Sequence, residues 1–177
     1  NNVSFDVFEQ EFLCIVGPNE CGKTTLLRII AGLEEASSGQ VLIDKEKAKA
    51  GMAALIFQEF SLFPWRTVFE NVRFGLEIKG VEEAAAQKIV EKYIDLVGLS
   101  EHAKLYPHEL SEGIKQKVVI ARAYAANPPV MLMDEPFAFL DAQTRNLMQE
   151  ELLRIWEQER KTVIFVTHNV DAVSYTH

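Results

Sequence analysis

The stretch Gly17-Pro18-Asn19-Glu20-Cys21-Gly22-Lys23-Thr24 lies between an apolar run at 12–16 and a helical pattern at 24–31. It fits G-x-x-x-x-G-K-[ST] at every position, with a strand entering and a helix leaving. The glycines let the backbone curl so that successive N–H groups face one point. The following helix adds the positive end of its dipole, which favours a bound polyphosphate. Lys23 can then reach the β- and γ-phosphates as a point charge. Thr24 can offer its hydroxyl to Mg²⁺, and Thr25 can support the α-phosphate. Cys21 inside the loop reads as a tolerated small residue that a bound nucleotide would shield from thiol reagents.

Working outward, short apolar runs at 12–16, 41–43, 53–57, 130–133 and 162–166 do not alternate with polar residues. Such runs suit strands covered on both faces, as in a parallel α/β sheet. A long helical pattern at 142–160 places Met148, Leu152, Ile155 and Trp156 on one face. Between the strands, 81–97 carries a stripe of Ile89, Tyr93, Leu96 and Val97, and a second helical pattern follows at 111–126. The expectation is a single α/β domain with a mostly parallel sheet. Its core would comprise about 1–67 and 128–177, with a helical subdomain inserted at about 68–127.

Val130-Met131-Leu132-Met133-Asp134-Glu135 is an apolar strand that ends in two carboxylates before Pro136. Beside strand 12–16, it would put Asp134 near a Mg²⁺ shell, through water. Glu135 could accept a proton from an attacking water as general base, because water alone is a weak nucleophile.

The formal net charge of −8 makes the chain a poor electrostatic partner for nucleic acid. Lys45, Lys47 and Lys49, interleaved with Glu46 and alanine, read as a solvated loop rather than a basic patch. No window approaches the roughly 18 apolar residues that span a bilayer, and 1–6 lacks the character of a signal peptide. A cytoplasmic chain that meets a membrane only through a partner is expected. Cys14 and Cys21 are too few for a disulfide scaffold and match no metal motif; Cys14 reads as a buried strand residue.

Leu110-Ser111-Glu112-Gly113-Ile114-Lys115-Gln116 resembles the L-S-G-G-Q signature of the ABC transporter ATPases. Gln58 in Phe57-Gln58-Glu59 resembles their Q-loop glutamine, Leu140-Asp141 their D-loop, and His168 after Phe165-Val166-Thr167 their switch histidine. Together with the phosphate loop and the Asp-Glu strand, these motifs stand in family order and cover essentially the whole chain. The resemblance implies a P-loop NTPase core that binds ATP and Mg²⁺. It implies a head-to-tail dimer, either a homodimer or a pair with another ABC ATPase subunit. It also implies transmembrane permease subunits, and so a peripheral place on the inner face of the cell membrane.

By the same resemblance Glu135, His168, Gln58 and Lys23 form the catalytic group. Gln58 senses Mg²⁺ and the attacking water, and His168 contacts the γ-phosphate. Ser111 and Gly113 contact the γ-phosphate on the opposite protomer, and Asp141 joins the nucleotide site. A physical reason accompanies the signature: a helix that opens at Ser111 presents N–H groups and a positive dipole end to an anion.

Glu112 replaces the usual first glycine; it either points outward or weakens the site. No counterpart of the family's adenine-stacking aromatic precedes Gly17. Phe5 and Phe8 read as core-strand residues, and a domain truncated at both ends is expected. Leu62-Phe63-Pro64-Trp65-Arg66-Thr67-Val68 and Tyr106-Pro107-His108-Glu109 resemble the importers for nitrate, alkanesulfonates and taurine. Trp65 and Arg66 would contact the permease, or Trp65 would be buried and merely fix the loop. The competing readings are a non-transport ABC ATPase and a nucleotide-binding subunit with little turnover.

Overall fold

The structure, a computed structural model, describes residues 3–168. Four strands form one parallel sheet: β1 (Phe12–Val16), β4 (Ala53–Ile56), β5 (Val130–Asp134) and β6 (Thr162–Thr167), in the order β1-β6-β5-β4. Both faces are covered, which explains the unbroken apolar runs. On one face Leu132, Ile164 and Val166 pack with Leu27 and Ile30 of α1 (Lys23–Ile30). On the other, Met131, Met133, Val163 and Phe165 share a core with α2 (Val68–Ile78), α3 (Glu83–Leu96), α4 (Glu112–Ala125) and α5 (Ala142–Glu159). The helical segment is thus packed onto the sheet through a continuous core.

Helix starts follow local chemistry. Thr67 and Glu70 form a reciprocal capping box at α2, Ser111 caps α4, and Asp141 caps α5. Buried Asn71 accepts from Phe63 N (2.9 Å) and donates to Phe63 O, Arg66 O and Thr67 O, so it ties the Phe63–Thr67 loop to the start of α2.

The structure departs from the sequence reading in several places. The run at 41–43 is not part of the parallel sheet. Its strand β2 (Leu42–Ile43) pairs antiparallel with β3 (Glu46–Lys47), so the lysine-rich loop is half of a hairpin. Asp44 and Lys45 both adopt positive φ, 51° and 66°, the conformation that a two-residue hairpin turn needs. Strand β5 does not lie beside β1, because β6 separates them.

Phe5 and Phe8 are exposed and belong to no strand. The turn before β1, with Gln10 at φ 63°, interrupts extension there. The apolar stripe of α3 runs through Ala86, Val90, Tyr93 and Ile94, whereas Ile89 and Leu96 are only partly buried. Trp65 is 71% exposed, which overturns the buried alternative. Cys14 is half-buried, and burial pushes its thiol up to about 11.

Candidate nucleotide site

Parallel register brings three chain segments to one level. Val16 pairs with Thr167 and Asp134 with Val166, so residues 17, 135 and 168 leave the sheet side by side. Backbone bonds hold these exits together: Gly17 N donates to Thr167 O (3.3 Å) and Glu135 N to Val166 O (3.0 Å). The intervening β6 therefore does not separate the phosphate loop from the acidic strand end; it joins them and contributes His168.

The loop itself needs unusual backbone. Glu20 has φ 63° and Gly22 φ 101°. Gly22 is the N-cap of α1, where no side chain caps the first turn. Those N–H groups are thus left to a bound anion or to water. A Cβ on Gly17 would lie 3.0 Å from Cys21 Sγ, so glycine lets the loop fold closely over that thiol.

Lys23 is buried, and its Nζ donates to Gly17 O and Pro18 O, each at 2.8 Å. The same ammonium lies 3.8 Å from Glu135 Oε1. Pro18, Asn19, Glu20, Cys21, Thr24 and Thr25 are exposed around it, so the loop presents an open face over a fixed cation.

Glu135 has φ 48°, a left-handed conformation that is costly for a residue with a side chain and is typical of functional sites. Its Oε2 accepts from His168 Nδ1 at 2.8 Å and from Thr167 Oγ1 at 3.5 Å. In its Nδ1–H tautomer His168 donates to this carboxylate. Its neighbour Asp134 is buried at the end of β5. Lys23, Glu135 and His168 thus converge from three elements.

Among the described residues no cluster of His, Cys, Asp or Glu could hold a metal by itself. Mg²⁺ does not need such a cage, because it commonly takes one or two protein groups together with phosphates and water. A hydroxyl on Thr24 and a carboxylate on Asp134 fit that requirement.

Gln58 is exposed just beyond β4, the edge strand beside β5; Ile56 pairs with Met133, so Gln58 leaves the sheet next to the Asp134–Glu135 strand end. Ser111 Oγ accepts from Ile114 N at 3.4 Å. A Cβ on Gly113 would meet Thr144 Cγ2 at 3.1 Å. Asp141 accepts from Thr144 N at 3.0 Å, and hydrogen bonds from the Thr144 side chain and backbone hold its carboxyl below the usual range. The signature and the D-loop thus meet each other through the first turn of α5. Glu112 is exposed in the first turn of α4.

The family model described as ABC transporter matches residues 1–138. The chain belongs to the ATP-binding family of ABC transporters. An uncharacterized ABC transporter ATP-binding protein of Methanocaldococcus jannaschii is 52% identical, over 99% of this chain and 66% of its own length. The aliphatic sulfonates import ATP-binding protein SsuB of Bacillus cereus is 44% identical, over 98% of this chain and 69% of its own length. The chain thus spans about two thirds of these curated relatives. The structure of cbiO1 from Clostridium perfringens, part of the ABC transporter complex cbiONQ, matches with a TM-score of 0.89 at 27% identity. It covers 98% of this chain and 73% of that one.

Within this ABC fold, sequence reasoning missed Thr167 and Arg145. Arg145 lines a pocket with Glu135, Gln149, Phe165, Thr167 and His168. The available signal was a basic residue near the start of α5, where the helix dipole favours negative charge.

Proposed function

We propose that this chain binds and hydrolyses ATP to drive an ABC importer, working as half of a head-to-tail dimer docked on transmembrane permease subunits. The observation that carries this reading is the convergence of Lys23, Glu135 and His168 at the carboxyl ends of β1, β5 and β6. ATP phosphates would lie along Gly17–Thr25, with Lys23 countering their charge. Mg²⁺, held by Thr24 and through water by Asp134, with Gln58 completing the site, would neutralise charge on the phosphates. Glu135 would take a proton from water, and the His168 Nδ1–H bond would keep its carboxylate aimed. Ser111 and Gly113, at the exposed start of α4, would serve the partner's nucleotide. Asp141 would lie at the same interface.

A core of about 1–67 and 128–177 with a helical subdomain of about 68–127 is part of this reading. The exposed Trp65 beside Arg66 offers a contact for the permease, with the chain peripheral on the cytoplasmic face of the membrane. The cargo would be a nitrate-, sulfonate- or taurine-like anion, supported by the Pro64-Trp65-Arg66-Thr67-Val68 string and by the similarity to the sulfonate relative.

Light scattering of Glu135→Gln tests the reading. With ATP and Mg²⁺ the variant should double in mass, and Lys23→Met should not. A Glu135→Gln chain that binds ATP yet remains at monomer mass would overturn the dimer.

A further inference from the structure

The segment from Gln58 to Thr67 runs from the end of β4 to the start of α2 and carries the exposed Trp65. Two helices hold it. Asn71 of α2 binds its far end, at Phe63, Arg66 and Thr67. Arg122 of α4 binds its middle. Its Nη1 donates to Ser61 O at 2.8 Å, and its guanidinium carbon lies 5.9 Å from the centre of the Phe63 ring. The Phe63 ring in turn meets Trp65, with centroids 5.7 Å apart. Direct contacts therefore lead from α4 to Trp65.

Arg122 stands in the last turn of α4, where the helix dipole favours a cation, but its guanidinium leaves the helix for another segment. Burial lowers its pKa. A desolvated cation needs compensation, which the Ser61 carbonyl and the Phe63 face supply. Ser61 itself has φ 47°, a left-handed conformation that is costly for a residue with a side chain, so the bond holds a strained turn. The opposite end of the same helix is capped by Ser111 of the signature. A helix of 14 residues spans about 20 Å.

We infer that Arg122 is a positioning residue that couples the signature helix to the Trp65 surface: through Ser61 O and the Phe63 ring, the segment bearing Trp65 moves with α4 as one body. The inference rests on the reading of Ser111 and Gly113 as contacts for a partner's nucleotide and of Trp65 as the permease contact. Engagement of Ser111 would then be felt about 20 Å away, on the surface offered to the permease.

The test is amide hydrogen exchange in the full chain at Phe63 and Arg66, whose N–H groups donate to Asn71 Oδ1 and Phe63 O. Without nucleotide, Arg122→Met should quicken exchange at both at least tenfold while β5 and β6 keep their protection. Unchanged exchange there overturns the inference by itself. The coupling is read in Glu135→Gln with ATP and Mg²⁺, where exchange at Phe63 and Arg66 should slow at least threefold as the mass doubles. With Arg122→Met added, the mass should still double but the slowing should vanish. A merely structural role would loosen the segment equally in both states, so a slowing that survives in the double variant overturns the inference. No slowing in a Glu135→Gln dimer overturns it as well. If Arg122→Met does not fold, Arg122→Lys replaces it, because lysine keeps the charge without the planar fork, and a threefold quickening is expected. If Glu135→Gln binds ATP yet stays at monomer mass, the dimer reading fails instead, and the nucleotide-free comparison still decides whether Arg122 holds the segment.

Discussion

Replacing Lys23 with methionine should separate nucleotide binding from stability. Methionine keeps the buried aliphatic stem filled, so the packing of a mostly buried side chain is preserved. Removed are two charge-assisted bonds of 2.8 Å to Gly17 O and Pro18 O and the ion pair of 3.8 Å to Glu135. In the free protein this loss is largely offset. Pro18 is exposed and Gly17 half-buried, so their carbonyls can turn to water, and the variant no longer desolvates an ammonium. A net change of about 1 kcal/mol follows, or roughly 2–4 °C in Tm for a domain of this size.

ATP binding has no such offset. Truncating one partner of a buried charge pair costs about 2–5 kcal/mol, which is roughly a thirtyfold to several-thousandfold rise in Kd. Titration with a fluorescent ATP analogue, beside thermal unfolding without nucleotide, reads both quantities. A Kd within threefold of the parent would refute the placement of the phosphates. A collapse of Tm would refute the split.

Three further outcomes follow from the geometry. Gly32 has φ 71°, and an added Cβ would lie 2.7 Å from Ala50 N and the Lys49 carbonyl carbon. Gly32→Ala should therefore lower stability by at least about 1–2 kcal/mol in chemical denaturation; an unchanged midpoint would contradict the contact. The Asp141 carboxyl is held low in the folded chain, so its stabilisation is present above the ordinary carboxylate value and is lost as pH falls through the folded value. Asp141→Asn should flatten the fall of Tm on acidification below about pH 4, and an identical acid limb would discard the cap. Iodoacetamide at pH 8 should modify exposed Cys21 at least tenfold faster than Cys14, whose thiol is pushed up to about 11, and ATP should slow the reaction at Cys21. Labelling of both cysteines at one rate would contradict this.

What could be read from sequence was whatever is written in contiguous residues. The loop at 17–24, the strand ending in Asp134 and Glu135, and the helix start at Ser111 carry their chemistry within a few positions. Strand order is different, because pairing between 12–16 and 162–167 is non-local. Nothing in either segment announces that β6 lies between β1 and β5. The hairpin at 42–47 was hidden because its turn is Asp44-Lys45 rather than a glycine-bearing pair, and a lysine at φ 66° leaves no compositional mark.

The apolar run at 41–43 looks like a core strand, but Leu42 faces solvent. Trp65 could not be settled as buried or exposed from its neighbours alone. The Glu135–His168 bond and the Arg145 pocket arise only when three separate segments meet, so they belong to the fold rather than to any motif.

The most direct test of the whole account is steady-state ATP turnover against protein concentration, with Glu135→Gln measured beside the parent chain. A rate that rises more steeply than in proportion to concentration, and falls at least about a hundredfold in the variant, is the predicted result. A rate strictly proportional to concentration, or a variant as active as the parent, would contradict it.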